Sequence, residues 1–224
     1  MAKKISKTVK SKSSHKDRIP PIEGEKSFYT SINKAIARGE HVQGLKQIIK
    51  EYEDYKSYMS GVFEKSEPAY QDIFKFRVEY LMKKPVWRVF EVEGCQSFEE
   101  FSNSIIDSMG WANDHLHAFY FPEFRNGHLF QYSYSPYGIY SQHFEDEQHP
   151  TYHSNNIRIT EIDYAKYPRL NYIFDFGDGH QFSVKFISRR KSEKADEMSL
   201  LPKIIDQRGV GPDQYPQIFE NEAE

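Results

Sequence analysis

Apolar and polar positions change their period along this chain, and each change marks a new element. Between residues 42 and 59, Val42, Leu45, Ile48, Ile49, Tyr52, Tyr55 and Met59 recur at steps of three and four. That is the spacing of an amphipathic helix whose apolar stripe needs a cover. A shorter helix over about residues 28–37 precedes it and breaks near Gly39. From about residue 70 the period becomes two. Phe74, Phe76, Val78 and Tyr80 alternate with Lys75, Arg77 and Glu79, which predicts a half-buried strand. Lys83-Lys84-Pro85 marks a turn, and residues 86–92 read as the returning strand.

A helix with signals at both ends follows. Ser97 and Glu100 form a capping box, Phe98, Phe101, Ile105, Ile106 and Met109 supply the stripe, and Gly110 stands where a left-handed stop is needed. Strands are expected at about 115–121, 128–134, 157–162, 171–176 and 180–188. The order β-β-α-β, then further strands, predicts an α+β fold: a mostly antiparallel twisted sheet packed on one capped helix, with an N-terminal helical extension. Between the last two strands, a three-residue loop at Gly177-Asp178-Gly179 would align Tyr172, Phe174 and Phe176 with Phe182, Val184 and Phe186 on one face. It would place Gly179 in the left-handed region and Asp175 on the polar face.

Composition adds what fills the core. Hydrophobic residues make up 38% of the 224 and aromatics 16%, so Phe and Tyr carry much of the packing. No stretch approaches the roughly 18 apolar residues of a membrane span. Residues 1–20 lack the apolar stretch of a secretory signal. Cys95 is the one cysteine, which leaves no internal disulfide. A cytoplasmic protein without membrane contact is expected.

Charge is uneven. The net value is −3, yet residues 1–18 hold six lysines and Arg18 against one acid, Asp17. The layout expected is a basic tail over 1–25, a helical extension over 26–66, the α+β domain over 67–215 and an acidic tail over 216–224. Lys3, Lys4, Lys7, Lys10 and Lys12 could contact nucleic acid, since lysines gain by releasing its counterions; a solvated tail is the plainer alternative.

Several residues could carry chemistry. His115-Leu116-His117 would put two imidazoles on one strand face, and Asp175, Asp178 or His180 could complete a metal site. His117 equally suits the margin of a core, beside Phe119 and Phe121. Asp175, Asp178, Asp206 and Asp213 would form a cation or general-base site only if the C-terminal segment folds back on the hairpin. Otherwise Asp206 and Asp213 belong to a Gly/Pro loop. Asp175-Phe176-Gly177 matches the magnesium motif of protein kinases, but no glycine-rich loop or H-R-D element accompanies it. The tyrosines around residues 132–140 have few cations among them, which favours packing over base stacking. Trp87, Arg88, Trp111, His180 and Asp213 remain as ligand or partner contacts, with buried structural roles the alternative for the two tryptophans. No catalytic or cofactor-binding residue stands out.

Lys84-Pro85-Val86-Trp87-Arg88, the capped helix running to Met109-Gly110-Trp111, His115-Leu116-His117-Ala118-Phe119 and Tyr172-Ile173-Phe174-Asp175-Phe176-Gly177-Asp178 occur in that order. Over about residues 70–215 the chain resembles the plasmid pRiA4b open-reading-frame-three-like family. Gly179-His180 stands where that family usually has a tryptophan, and Gly209-Val210-Gly211-Pro212-Asp213 replaces its Cys-Pro-Pro-Glu-Asp-like run. The resemblance implies a compact α+β domain carried on plasmids and mobile elements. Some relatives bear a resolvase-like label, yet no Ser or Tyr nucleophile lies in an arginine-rich setting here. The expected function is a non-catalytic binding or accessory module whose partner is protein or nucleic acid. The alternative is a metal-dependent enzyme built on His115, His117, Asp175 and Asp178. A third possibility makes the helical extension itself a protein-binding surface.

Overall fold

The computed structural model describes residues 19–81, 85–122, 124–125, 128–129, 137–144, 148–193 and 197–215. Helices α1 (Glu25–Ala37) and α2 (Val42–Ser60) come first, then β1 (Asp72–Tyr80), β2 (Val86–Glu93) and α3 (Phe98–Met109). Strands β3 (His117–Tyr120), β4 (Phe124–Arg125), β5 (His128–Leu129), β6 (Gly138–Tyr140) and β7 (Tyr152–His153) are short. The long hairpin β8 (Arg169–Phe174) and β9 (His180–Lys191) precedes a last strand, β10 (Lys203–Arg208). Eight strands form one open sheet in the order β10-β2-β1-β9-β8-β3-β6-β7, antiparallel except for the β6–β7 pair, while β4 and β5 pair apart from it. The fold is α+β, as the periodicity predicts.

Helices α2 and α3 lie against one face of the sheet, and α1 packs on α2 through Phe28 and Tyr29 against Tyr52. Phe76, Phe90, Phe119, Tyr172 and Phe182 project from the sheet onto Phe98, Phe101, Ile105 and Ile106 of α3 and Tyr55 and Met59 of α2. The α2 stripe therefore finds its cover in this core. The buried Tyr55 hydroxyl accepts from the Tyr152 amide (2.7 Å) and donates to the Gly138 carbonyl (3.0 Å), so α2 also holds β6 and β7. At α3, Ser97 and Glu100 make the capping box reciprocally and Gly110 closes the helix at φ 75°.

Four expectations need correction. Residues 157–162 are not a strand: Arg158 and Ile162 make isolated bridges around a 3-10 turn at Ile159–Glu161. The Ile157 carbonyl and the Ile159 amide bond to the backbone of Phe98 and Gln96, so this segment grips the start of α3 instead of a neighbouring strand. Asp206 lies on an edge strand, β10, which local turn preferences concealed. The β8–β9 loop has five residues, since Phe174 faces His180 and Tyr172 faces Phe182. Two extra residues preserve parity, so Phe174 and Phe182 still share a face. Phe176, however, packs with Phe144 beside the smaller cluster of Ala118, Tyr120, Tyr140 and Ile173 on the other side. Finally, β3 begins at His117, so His115 is not on a strand.

The turn at residues 82–84, much of the expected 128–134 strand with Tyr132 and Tyr134, the basic tail of residues 1–18 and the acidic tail of residues 216–224 fall outside the described residues.

Candidate functional site at one end of the sheet

The end of β8, the starts of β3 and β9 and the C-terminus of α3 meet at one end of the sheet. Asp175 builds the local turn there. Its backbone is left-handed (φ 58°), a conformation that Asp tolerates better than most residues. Its Oδ1 accepts from the Gly177 amide at 2.8 Å and the Asp178 amide at 3.2 Å. The side chain is consequently buried and not on the polar strand face. Its second oxygen, Oδ2, lies 3.5 Å from His115 Nε2.

A strap from the C-terminal segment completes the cluster. Residues 209–215 fold back over the end of α3, fastened by Arg88, Trp111, Gln214 and Tyr215. The buried Arg88 guanidinium donates to the carbonyls of Trp87, Ser108, Arg208 and Gly209 at 3.0–3.3 Å. It thereby satisfies α3's last turn and ties it to the end of β10. Trp111 Nε1 donates to the Pro212 carbonyl at 2.6 Å. The Gln214 amide accepts from the Ala112 N–H (2.8 Å) and donates to its C=O (3.1 Å), as a neighbouring strand would. Tyr215 Oη then lies 3.0 Å from both Asp114 oxygens and 3.0 Å from His115 Nδ1.

His115 is the focus of this arrangement. Asp114 Oδ1 is 2.9 Å from its Nδ1. That hydrogen bond, reinforced by the charges of Asp175 and Asp178, raises the imidazole pKa above its ordinary value. In return the imidazole lowers the Asp114 carboxyl. Partial burial and the Asp114 bond push the Tyr215 phenol up to about 12. His115, Asp114 and Tyr215 all remain exposed, so the cluster is a polar, acid-rich surface open to solvent.

His117 goes elsewhere. It is buried, with Nε2 3.1 Å from Ser154 Oγ and 3.6 Å from Glu99 Oε2. Loss of hydration pushes its pKa down to about 4 against the opposing pull of Glu99. The two histidines are thus one residue apart in sequence, yet one is neutral inside the core and the other is held among carboxylates at the surface. Among the described residues, no group of three or more His, Cys, Asp or Glu side chains is placed to hold a metal ion.

The other candidates have settled positions. Trp111 is buried, its ring 4.4 Å from that of His180, whose Nδ1 is 2.9 Å from Tyr80 Oη. Trp87 lies half-buried on the opposite sheet face with the Arg77 guanidinium 4.4 Å above its ring. Asp213 is exposed on the strap, and Cys95 is exposed far along the chain from it. Lys3, Lys4, Lys7, Lys10 and Lys12 lie outside the described residues. Sequence reasoning did not single out Asp114, Gln214 or Tyr215. Only the Asp-His step at 114–115 hinted at such a pair; nothing local announced a glutamine that would imitate a strand.

Comparison with known proteins gives the fold more company than the chemistry. No curated protein matches. A crystal structure of MM3350, a protein of unknown function from Methanosarcina mazei Go1, superposes with a TM-score of 0.51 at 18% identity, covering 65% of this chain and 75% of that one. The family model described as "Plasmid pRiA4b ORF-3-like protein" matches residues 72–214, the span from β1 to the strap. The chain therefore belongs to the plasmid pRiA4b ORF-3-like family.

Proposed function

We propose that this chain is a non-catalytic, cytoplasmic binding module of a plasmid- and mobile-element-associated family, and that its sheet-end cluster takes a cationic group from a protein partner. One observation carries this reading: three carboxylates, Asp114, Asp175 and Asp178, act on one exposed imidazole, so the surface favours positive charge. Asp175 Oδ1 is spent on its own turn and Tyr215 already covers Asp114, which leaves these groups suited to contact rather than to turnover. A lysine or arginine arriving here would replace the Tyr215 hydroxyl on Asp114 and gain a charge-assisted bond.

An NMR titration of the full-length protein with an oligolysine peptide tests the idea. Resonances of His115 and Tyr215 shift saturably, and the response is lost in Asp114→Asn. Asp175→Asn, which can keep the turn hydrogen bonds, weakens it. Saturable, stoichiometric uptake of zinc or manganese that depends on His115 and Asp175 would instead favour the metal-dependent enzyme.

A further inference from the structure

The sheet face turned away from the helices carries a second surface. Arg169 pairs with Lys185 across β8–β9, and Lys185 pairs with Arg77 across β9–β1. Directly opposed residues project to the same side, so three cations stand in one row across three adjacent strands. Adjacent strands are about 4.8 Å apart, giving a cationic strip about 10 Å long. Like charges placed directly opposite one another destabilise a sheet. Beyond Arg77 the row continues into Val89 on β2 and Asp206 on β10, so the cations are confined to β8, β9 and β1. Lys185 is exposed and Arg169 half-buried, and neither makes an ion pair among the described residues.

The acids on this face offset Arg77 but leave Arg169 and Lys185 uncompensated among the described residues. Glu91 is already shared by Lys75 (3.7 Å), Arg190 (3.2 Å) and Lys203 (3.0 Å). Among the described residues Glu79 pairs with Arg77, at 3.3 Å. In the next row, Asn171, Ser183, Glu79, Trp87 and Arg208 face one another in register across five strands. Hydrogen-bonding side chains and a half-buried indole therefore flank the cations.

We infer that this outer face binds single-stranded nucleic acid, with phosphates on Arg169 and Lys185 and a base stacked on the Arg77 guanidinium, which lies 4.4 Å over the Trp87 ring. Cations that track a backbone beside an aromatic ring are the usual combination for single strands. A duplex would hide its bases from that stack. The inference rests on the binding-module reading but uses side chains on the opposite sheet face, none of them among the Asp114, His115, Asp175 and Tyr215 side chains of the sheet-end cluster.

Fluorescence anisotropy of the full-length protein with a labelled oligothymidylate of about twenty nucleotides tests it. Arg169→Gln with Lys185→Gln weakens binding about tenfold and lowers the salt slope by about one to two. Trp87→Leu weakens it about tenfold, and Trp87→Phe restores most of the loss. Circular dichroism melting confirms that each variant is folded. Unchanged affinity in folded Arg169/Lys185 variants overturns the proposal and leaves any binding to the lysines of residues 1–18. Equal affinity for a duplex or for an oligoglutamate, with the same dependence on these residues, also overturns it, the latter in favour of an acidic protein. If the oligolysine response at His115 persists when oligothymidylate fails to bind, only this inference falls.

Discussion

His117 Nε2 lies 3.1 Å from Ser154 Oγ, and that hydroxyl donates in turn to Glu99 in the first turn of α3. The hydroxyl's one proton goes to the carboxylate, so the imidazole N–H donates to the hydroxyl oxygen. A neutral histidine thus joins β3 to the start of α3.

Acid should loosen this joint. The folded pKa of His117 is about 4, below its ordinary 6.5, so the unfolded chain takes up a proton first as pH falls. The contribution is complete above about pH 6.5 and is lost progressively down to about pH 4, by at most about 3 kcal/mol. Urea unfolding of the protein and of His117→Gln at several pH values checks this. The wild type loses stability faster than the variant across that window; parallel curves would contradict it.

Arg88 should be irreplaceable by lysine. An ammonium cannot reach the same set of carbonyls in the fork geometry of a guanidinium. Arg88→Lys costs about 2–4 kcal/mol by leaving buried carbonyls unpaired. Hydrogen exchange speeds up first in residues 208–215, because those carbonyls anchor the strap.

Two glycines should respond very differently to alanine. A Cβ at Gly211 would stand 2.2 Å from the Met109 carbonyl oxygen, so backbone must move. Gly179 is left-handed at φ 66° with nothing within 4 Å of a Cβ. Gly179→Ala therefore costs about 1 kcal/mol of backbone strain, whereas Gly211→Ala costs more than about 2 kcal/mol or detaches the strap. Thermal unfolding ranks the two.

The His115 titration should report its neighbour. Asp114→Asn removes the largest influence raising the imidazole pKa, so the midpoint followed by proton NMR falls toward 6.5. An unmoved midpoint would mean that Asp175 and Asp178 dominate.

Local signals were enough where a single element determines its own outcome. The α3 caps, the β1–β2 alternation and the parity of the β8–β9 aromatics all follow from spacing. They failed where a partner distant in sequence decided the structure. Ile157 and Ile159 look like a strand until their backbone bonds to residues 96–98 are known. Asp206 looks like a loop residue until β2 supplies the partner edge. The two histidines look alike until Ser154 and Glu99 claim one while Asp114 and Tyr215 claim the other. Phe176 left its expected face because Asp175 turned left-handed, a choice made by a side-chain oxygen and not by hydrophobic pattern.

The rims of the sheet govern how copies of this chain meet. At one rim β7 has only two residues; at the other β10 carries Lys203, Asp206 and Arg208 and breaks register between Ile204 and Asp206. Charge and a kink are what keep a bare strand edge from recruiting another. A wide aromatic sheet with one face uncovered by helices thus ends in two rims that are poor templates for a further strand.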